Sequence, residues 1–410
     1  MTKLRILLLT QWFDPEPTFK GLVFARELVR QGFEVEVLTG FPNYPGGAVY
    51  PGFRIKLLQR EVIDGVQITR VPLFPSHGQS VIGRVFNYVS FAVSACLYGV
   101  LAARLPSVVY AYHPPLTVGI ASVLIKFFRR IPVVYDIQDM WPDTLRATGM
   151  LNSVMALRLV SCVCRWVYRR VDHIVVLSPG FRRLLVERGV PESKLSVIYN
   201  WADEASLAQT AGPLPADYPL AHSHFRILFA GNMGKAQGLN TVLTSASLLQ
   251  SRGSRVCWVM LGSGVEVDAL KAEAVKKNLN NVIFLPAVPM AEVGSYLYEA
   301  DALLVHLRKD PLFEITIPSK TQAYMSAGKP LLMAVDGDSA DLVRLSGGGI
   351  VAESENPEAL ANAADQLASM PDQDLARLGN NSRSYYHHHL GMVQGVRQFG
   401  HIFCRLAQLR

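Results

Sequence analysis

Cysteine is scarce in this 410-residue chain, confined to Cys96, Cys162, Cys164, Cys257 and Cys404. An odd count with no pair of closely spaced pairs excludes a disulfide framework and the common zinc modules, and it predicts a reducing cytoplasm. No short-period repeat or low-complexity tract is present, and neither the spacing G-x-x-x-x-G-K-[ST] nor a strict G-x-G-x-x-G occurs. The basic residues are mostly single Arg among Leu, Val and Phe, without the glycine and aromatic interleaving of RNA-binding modules. A secretory leader is not expected either. The apolar run in MTKLRILLLTQWFDPEP ends at Trp12, Asp14 and two prolines, which reads as a first strand. The run His387 to His389 holds adjacent side chains that cannot converge on one ion, so no metal site is expected.

What is present is a large apolar content with a lopsided charge. Half the residues are hydrophobic, and the length suits two or three domains. Residues 1–200 carry 23 Lys and Arg against 13 Asp and Glu, net +10, whereas residues 201–410 carry 17 against 20, net −3. A basic, apolar half points to an anionic membrane surface, here the inner face of the cytoplasmic membrane, rather than to nucleic acid. Residues 85–103 are uncharged between Arg84 and Arg104 and just long enough to span a bilayer. Asn87, Tyr88, Ser90 and Ser94 favour instead a helix buried in the domain or lying on a membrane.

Strand-like and helix-like segments alternate through both halves. LRILLLT, FEVEVLT, SVVYAY, PVVYDI and HIVVLS read as strands separated by helices, with a hairpin turn at Asp64-Gly65. The pattern lapses between Ile198 and Phe225, then restarts with FRILFAG, VCWVMLG, NVIFL and DALLVHL. The expected organisation is α/β, two Rossmann-like doubly wound parallel-sheet domains. The first spans 1–200, a linker spans 201–224 and the second spans 225–390.

Two stretches of the second half read as anion sites. In IPSKTQAYMSAGKP, Ser319 followed three residues on by Gln322 fits a capping box, so a helix is expected from about Lys320. Gly328 can close it in the left-handed conformation, and Pro330 prevents its continuation. The free N–H groups of that helix start, at Ser319, Lys320 and Thr321 after Pro318, with the Lys320 charge, suit a diphosphate. After FRILFA, the loop GNMGKAQG offers Gly231, Gly234 and Gly238 for close backbone approach to an oxyanion, and Lys235 for charge. Gly262 in LGSGVE, with Leu285 and Pro286, either holds a nucleoside through backbone groups or simply forms turns. In the first half, His113 and the aspartates Asp136 and Asp139 of YDIQDMWPD lie at strand ends, where functional and structural roles are both open.

VEVLTGFPNYPGG, YAYHPPLT, YDIQDMWPD, HIVVLSPGFRRLLVERGVPESKLSVIYNW, FAGNMGKAQGL and IPSKTQAYMSAGKP together resemble the bacterial family 4 retaining glycosyltransferases of the GT-B fold. The likeness is greatest to the branch that builds O-antigen, capsule and colanic acid, including enzymes described as L-fucosamine transferases. It implies a nucleotide sugar bound by the C-terminal domain and a lipid-linked saccharide acceptor at the N-terminal domain. It also implies a final crossover helix at about 391–410, His113 as the active-site histidine, and catalysis without a metal or other cofactor. By the same resemblance the donor is a UDP-activated N-acetylated deoxyhexosamine and the acceptor an undecaprenyl diphosphate saccharide.

Some positions depart from the family pattern. The usual G-R-x-x-x-x-K-G becomes Gly231, Asn232, Lys235, Gln237 and Gly238, with Lys235 the substitute cation. The usual E-x7-E pair falls on Ile315 and Ala323, leaving Glu314 adjacent. PEPTFKG replaces the N-terminal glycine pair, so Lys20 and Gly21 are expected to approach the donor or acceptor phosphate. The alternatives are a UDP-GlcNAc 2-epimerase-like enzyme, marked by turnover without acceptor, and a non-catalytic sugar-nucleotide-binding subunit.

Overall fold

The computed structural model describes residues 3–76, 81–207 and 224–408. It divides into two compact units. One runs to Ile198 and regains the chain from Gly395; the other is Tyr199–Gln394.

The first unit contains β1 (Arg5–Leu9), α1 (Leu22–Arg30), β2 (Glu34–Gly40), β3 (Gln59–Ile63), β4 (Val66–Val71), α2 (Val81–Leu101), β5 (Val108–His113) and α3 (Leu116–Arg129). It continues through β6 (Val133–Ile137), α4 (Asp143–Ala147), α5 (Val154–Arg170), β7 (His173–Val176), α6 (Pro179–Glu187) and β8 (Leu195–Val197). The strands form one sheet, ordered β3-β4-β2-β1-β5-β6-β7-β8. All pairings are parallel except β3 with β4, whose turn places Asp64 and Gly65 at φ 50° and 81°. Two positive φ angles in a row give the hairpin turn that matches strand twist. From β1 the chain winds one way to β4 and then crosses back, so right-handed crossovers place α1 on one face and α2, α3, α5 and α6 on the other.

The second unit contains α7 (Glu204–Leu207), β9 (Phe225–Ala230), α8 (Asn240–Ser251), β10 (Val256–Leu261), α9 (Val267–Lys276), β11 (Val282–Leu285), α10 (Met290–Glu299) and β12 (Ala302–His306). Then come α11 (Pro311–Glu314), α12 (Ser319–Ala327), β13 (Leu331–Ala334), α13 (Asp338–Ser346), β14 (Gly349–Val351), α14 (Pro357–Ser369) and α15 (Asp372–Tyr385). Its sheet is wholly parallel, ordered β11-β10-β9-β12-β13-β14. Alternate residues of β9 enter opposite cores, Ile227 and Phe229 under α8 and α14, Leu228 and Ala230 under α10 and α12. Burial on both faces explains why these strands read as continuous apolar runs. The reversal of strand order falls between β9 and β12, where open sheets of this kind bind ligands.

Part of the expected linker belongs to this second unit. Ala202 and Leu207 are buried in its core, and Glu204 accepts from the Tyr386 hydroxyl at 2.7 Å. The remainder, residues 208–223, lies outside the described residues.

The last helix, α16 (Met392–Gln408), packs on the α1 face of the first unit. Phe399 lies 5.5 Å from the Phe24 ring and 5.3 Å from Tyr110, and Phe403 lies 5.8 Å from Tyr110. Each phenylalanine buried here contributes roughly 2–3 kcal/mol.

The helix α2 is apolar on both sides. Asn87, Phe91, Ala95 and Tyr98 face inward, where Asn87 donates to the Phe74 carbonyl (2.7 Å) and to Asn43 (3.1 Å). Outward, Ile82, Val85, Phe86, Val89, Val93, Leu97 and Leu101 are all exposed at helical spacing. Such a face is normally polar on a helix surrounded by water. By length and composition α2 can cross a membrane, and it is the sole such helix among the described residues.

Candidate active site

The two loops of the second unit expected to bind an anion converge at the carboxyl end of β9. Helix α12 begins one residue before the expected start: its N-cap is Pro318, with no side-chain cap, and Ser319 is the first helical residue. The capping box is therefore absent. The Gln322 amide instead reaches back to the carbonyls of Pro318 and Ser319, because proline already supplies the extended cap conformation. Gly328 closes the helix at φ 73°, as its sequence suggested. Tyr324 ties the helix to β9 by bonding both the N–H and the carbonyl of Ala230, at 2.8 and 3.1 Å.

This anchoring places the Lys320 nitrogen 3.6 Å from the centroid of the Phe229 ring. A Cβ at Gly231 would stand 3.4 Å from that nitrogen, so glycine leaves the approach open. The Lys320 nitrogen is buried and has no hydrogen-bond partner among the described residues. Burial holds its pKa down at about 7. The Thr321 hydroxyl, also buried, is likewise without a partner. A buried ammonium without an anion is costly, and a diphosphate would satisfy it.

The glycines serve mainly to let loops interlock. Gly262, at φ 143°, packs so tightly on the Gly231 carbonyl that no side chain fits, and Gly264, at φ 151°, does the same against Met233. The N–H of Gly262 is taken by Leu285, that of Gly231 by Leu261 and that of Gly234 by the Gln237 side chain. The N–H of Gly238 goes to Lys235. These glycine donors are spent, contrary to the sequence expectation. Within the loop 231–238 and the start of α12, the backbone donors with no partner among the described residues are those of Asn232, Lys235, Ala236, Ser319 and Lys320. Lys235 is exposed and Pro286 is exposed beyond β11. Glu314, at the end of α11, is exposed, and its carboxylate has no partner among the described residues.

In the first unit the structure overturns two expectations. Lys20 and Asp136 are both fully buried and bond each other at 2.5 Å. Asp136 also accepts from the Tyr110 hydroxyl (2.5 Å) and Gln138 (2.8 Å), while the Lys20 nitrogen lies 4.7 Å from the Phe399 ring centroid. Lys20 cannot approach a phosphate, nor Asp136 an acceptor; they are a structural ion pair. Gly21 has no room for a side chain against Asp14 and Thr18, which is its role.

His113 and Asp139 make no ion pair among the described residues. His113 ends β5, edge-on to Trp141 at 5.1 Å and Tyr135 at 5.8 Å, with Nδ1 buried and unpartnered among the described residues. Burial lowers its pKa to about 3, so it is neutral. Asp139, with no ion pair among the described residues, is raised by burial.

Sequence reasoning missed Phe229, Tyr324 and His306. An aromatic one residue from the end of a strand before a glycine loop, a tyrosine inside a short helix and a histidine ending an apolar strand carry no signal that separates them from ordinary core residues.

Residues 22–201 match the family Glycosyl transferase 4-like domain, and residues 214–385 match Glycosyl transferases group 1. A Pseudomonas aeruginosa protein named as a glycosyltransferase, WbjE, is 27% identical over 292 residues, covering 69% of this chain and 70% of the relative. An Escherichia coli K12 protein named for colanic acid biosynthesis, the glycosyl transferase WcaI, is 24% identical over 385 residues, covering 91% and 92%. The solved structure of Anabaena HepE in complex with UDP superposes with a TM-score of 0.68 at 15% identity, over 98% of this chain and 100% of that one.

Proposed function

Because the chain belongs to the GT-B glycosyltransferases, its first unit 4-like and its second of group 1, we propose that it moves a sugar, with retention, from a nucleoside diphosphate to a lipid-linked saccharide. The reaction serves surface polysaccharide assembly. The observation that carries the donor class is the buried, unpartnered Lys320 ammonium beside Gly231. UDP in the HepE structure supports a uridine donor, and the specific form to test is UDP-activated N-acetyl-L-fucosamine.

Glycosidase-type catalysis needs two free carboxylates facing the sugar. Asp136 is consumed by Lys20, which favours a different course. The acceptor hydroxyl attacks the anomeric carbon as the bond to the diphosphate breaks, and the departing diphosphate oxygen takes the hydroxyl proton on the same face. The protein then has to stabilise charge growing on the diphosphate. Lys320, Lys235 and the open N–H groups of the two loops are suited to that, without reorganisation during the reaction. In the first unit, neutral His113 and Asp139 are the residues suited to hydrogen-bond sugar hydroxyls. A His113 with a pKa of about 3 supplies no cationic acid at neutral pH.

The acceptor side is proposed to sit on the membrane. The outward faces of α2 and α5 carry exposed Phe86, Val93, Leu97, Met155 and Leu159, with exposed Arg158, Arg165, Arg169 and Arg170 on α5. An apolar face flanked by arginine suits an anionic bilayer surface. The inward hydrogen bonds of Asn87 favour a helix that lies on the bilayer over one that crosses it.

The test is calorimetric binding of UDP and GDP, with and without EDTA, to the wild type and to Lys320→Ala. Binding of one nucleotide that is insensitive to EDTA and weakens by about 1.5–3 kcal/mol in the variant is expected. Affinity untouched by the substitution would refute the clamp. Turnover of a UDP-sugar without any acceptor would indicate an epimerase instead.

A further inference from the structure

His306 occupies the end of β12, beside β9 at the reversal of strand order, and is completely buried. Its Nδ1 stands 2.6 Å from the carbonyl oxygen of Gln237. A carbonyl only accepts, so Nδ1 carries the hydrogen and donates it. Nε2 is left as a lone pair, buried and without a partner among the described residues. Burial depresses the pKa and outweighs the Gln237 bond and the Glu355 charge, which raise it, so the ring stays neutral and keeps this tautomer.

The bond fixes one end of a short turn. Gln237 returns its side-chain oxygen to the Gly234 N–H at 3.0 Å, and the Ala236 carbonyl accepts from the Arg308 N–H, also at 3.0 Å. Gly238, at φ 58°, comes so near that a Cβ would lie 3.3 Å from the imidazole carbon Cε1. The turn 234–238 is therefore held by His306 and Arg308, two residues of a neighbouring strand end, and it carries the open N–H groups of Lys235 and Ala236.

We propose that His306 is a positioning residue for the donor: through Nδ1 it sets turn 234–238 in the conformation that presents these N–H groups to the diphosphate. This rests on the reading of the pocket as a nucleoside diphosphate site. Histidine acts here through the loop and does not touch the ligand.

Three variants separate this role from mere packing. Asparagine places its amide nitrogen near the position of Nδ1, glutamine places it one bond farther out, and phenylalanine keeps the ring volume with no donor. Calorimetry with UDP and GDP, each beside its monophosphate, reads the effect, and thermal unfolding monitors the fold. His306→Asn should bind the preferred diphosphate within about threefold of the wild type. His306→Gln and His306→Phe should lose tenfold or more, with a clearly smaller loss for the monophosphate. Equal diphosphate affinity in all three variants, or parallel losses for mono- and diphosphate, would overturn the assignment even if the pocket binds nucleotide. If the wild type binds neither diphosphate, the donor reading itself fails and the role of His306 falls with it. Should the phenylalanine variant not fold, the order of asparagine over glutamine decides alone.

Discussion

The Lys320 amine titrates near neutrality because its slot buries it against the Phe229 ring, with no hydrogen-bond partner among the described residues. A bound diphosphate supplies the anion and raises that pKa, so affinity should be greatest when the free protein already holds the proton. Nucleotide binding is therefore expected to weaken as pH rises from about 7 to 9, and Lys320→Met should remove most of that dependence. Without nucleotide the sign reverses. The folded amine has a pKa of about 7 against 10.5 when unfolded, so the unfolded chain binds more protons in this window and stability gains from rising pH. Denaturation of wild type and Lys320→Met at pH 7 and pH 9 should show a larger gain in the wild type. At Asp136 the effect is on the fold. Asp136→Asn leaves a buried Lys20 uncompensated and should cost about 3–5 kcal/mol in urea unfolding. Nothing in sequence foretold that pairing, since 116 positions separate the partners and each residue alone resembled a surface ligand.

Helix α12 illustrates what local pattern does and does not reveal. Its C-terminus was legible, because a glycine followed by Lys329 and Pro330 stops a helix by backbone sterics alone. The start was misread: serine before Lys320 carried the usual capping signal, yet Pro318 took the cap. The discrepancy is testable. Ser319→Ala should cost less than about 0.5 kcal/mol, where loss of a true serine cap costs typically about 1 kcal/mol. Gly328→Ala should cost at least about 1 kcal/mol, since φ is 73° and the new methyl would meet Arg383. The link that aims Lys320 runs through the Tyr324 hydroxyl to Ala230, a tertiary bond with no sequence signature. The glycine loops were recognised as special, but their job of mutual close packing appears only once β9 and β10 are neighbours.

At the scale of the whole molecule, net positive charge and exposed apolar side chains concentrate in the first unit, and the unpartnered Lys320 amine lies in the second. The strand-helix alternation made both sheets legible, because strands buried on two faces read as apolar runs in any context. The outward face of α2 was only half legible: a run without charge does not say which side faces the core. If that face seats on lipid, vesicles containing phosphatidylglycerol should co-sediment the protein, and Val93→Glu with Leu97→Glu should abolish this while leaving UDP affinity unchanged. Raising salt should weaken the attachment through the arginines of α5. The return of α16 has a consequence for how the protein is made. On the ribosome, residues 199–394 emerge as one continuous stretch and can complete their own core, whereas the first unit lacks Phe399 and Phe403 until after that stretch has emerged. The domain synthesised first must wait, partly open over Tyr110 and the Lys20 pair, and become whole last, reversing the usual amino-to-carboxyl order of domain maturation.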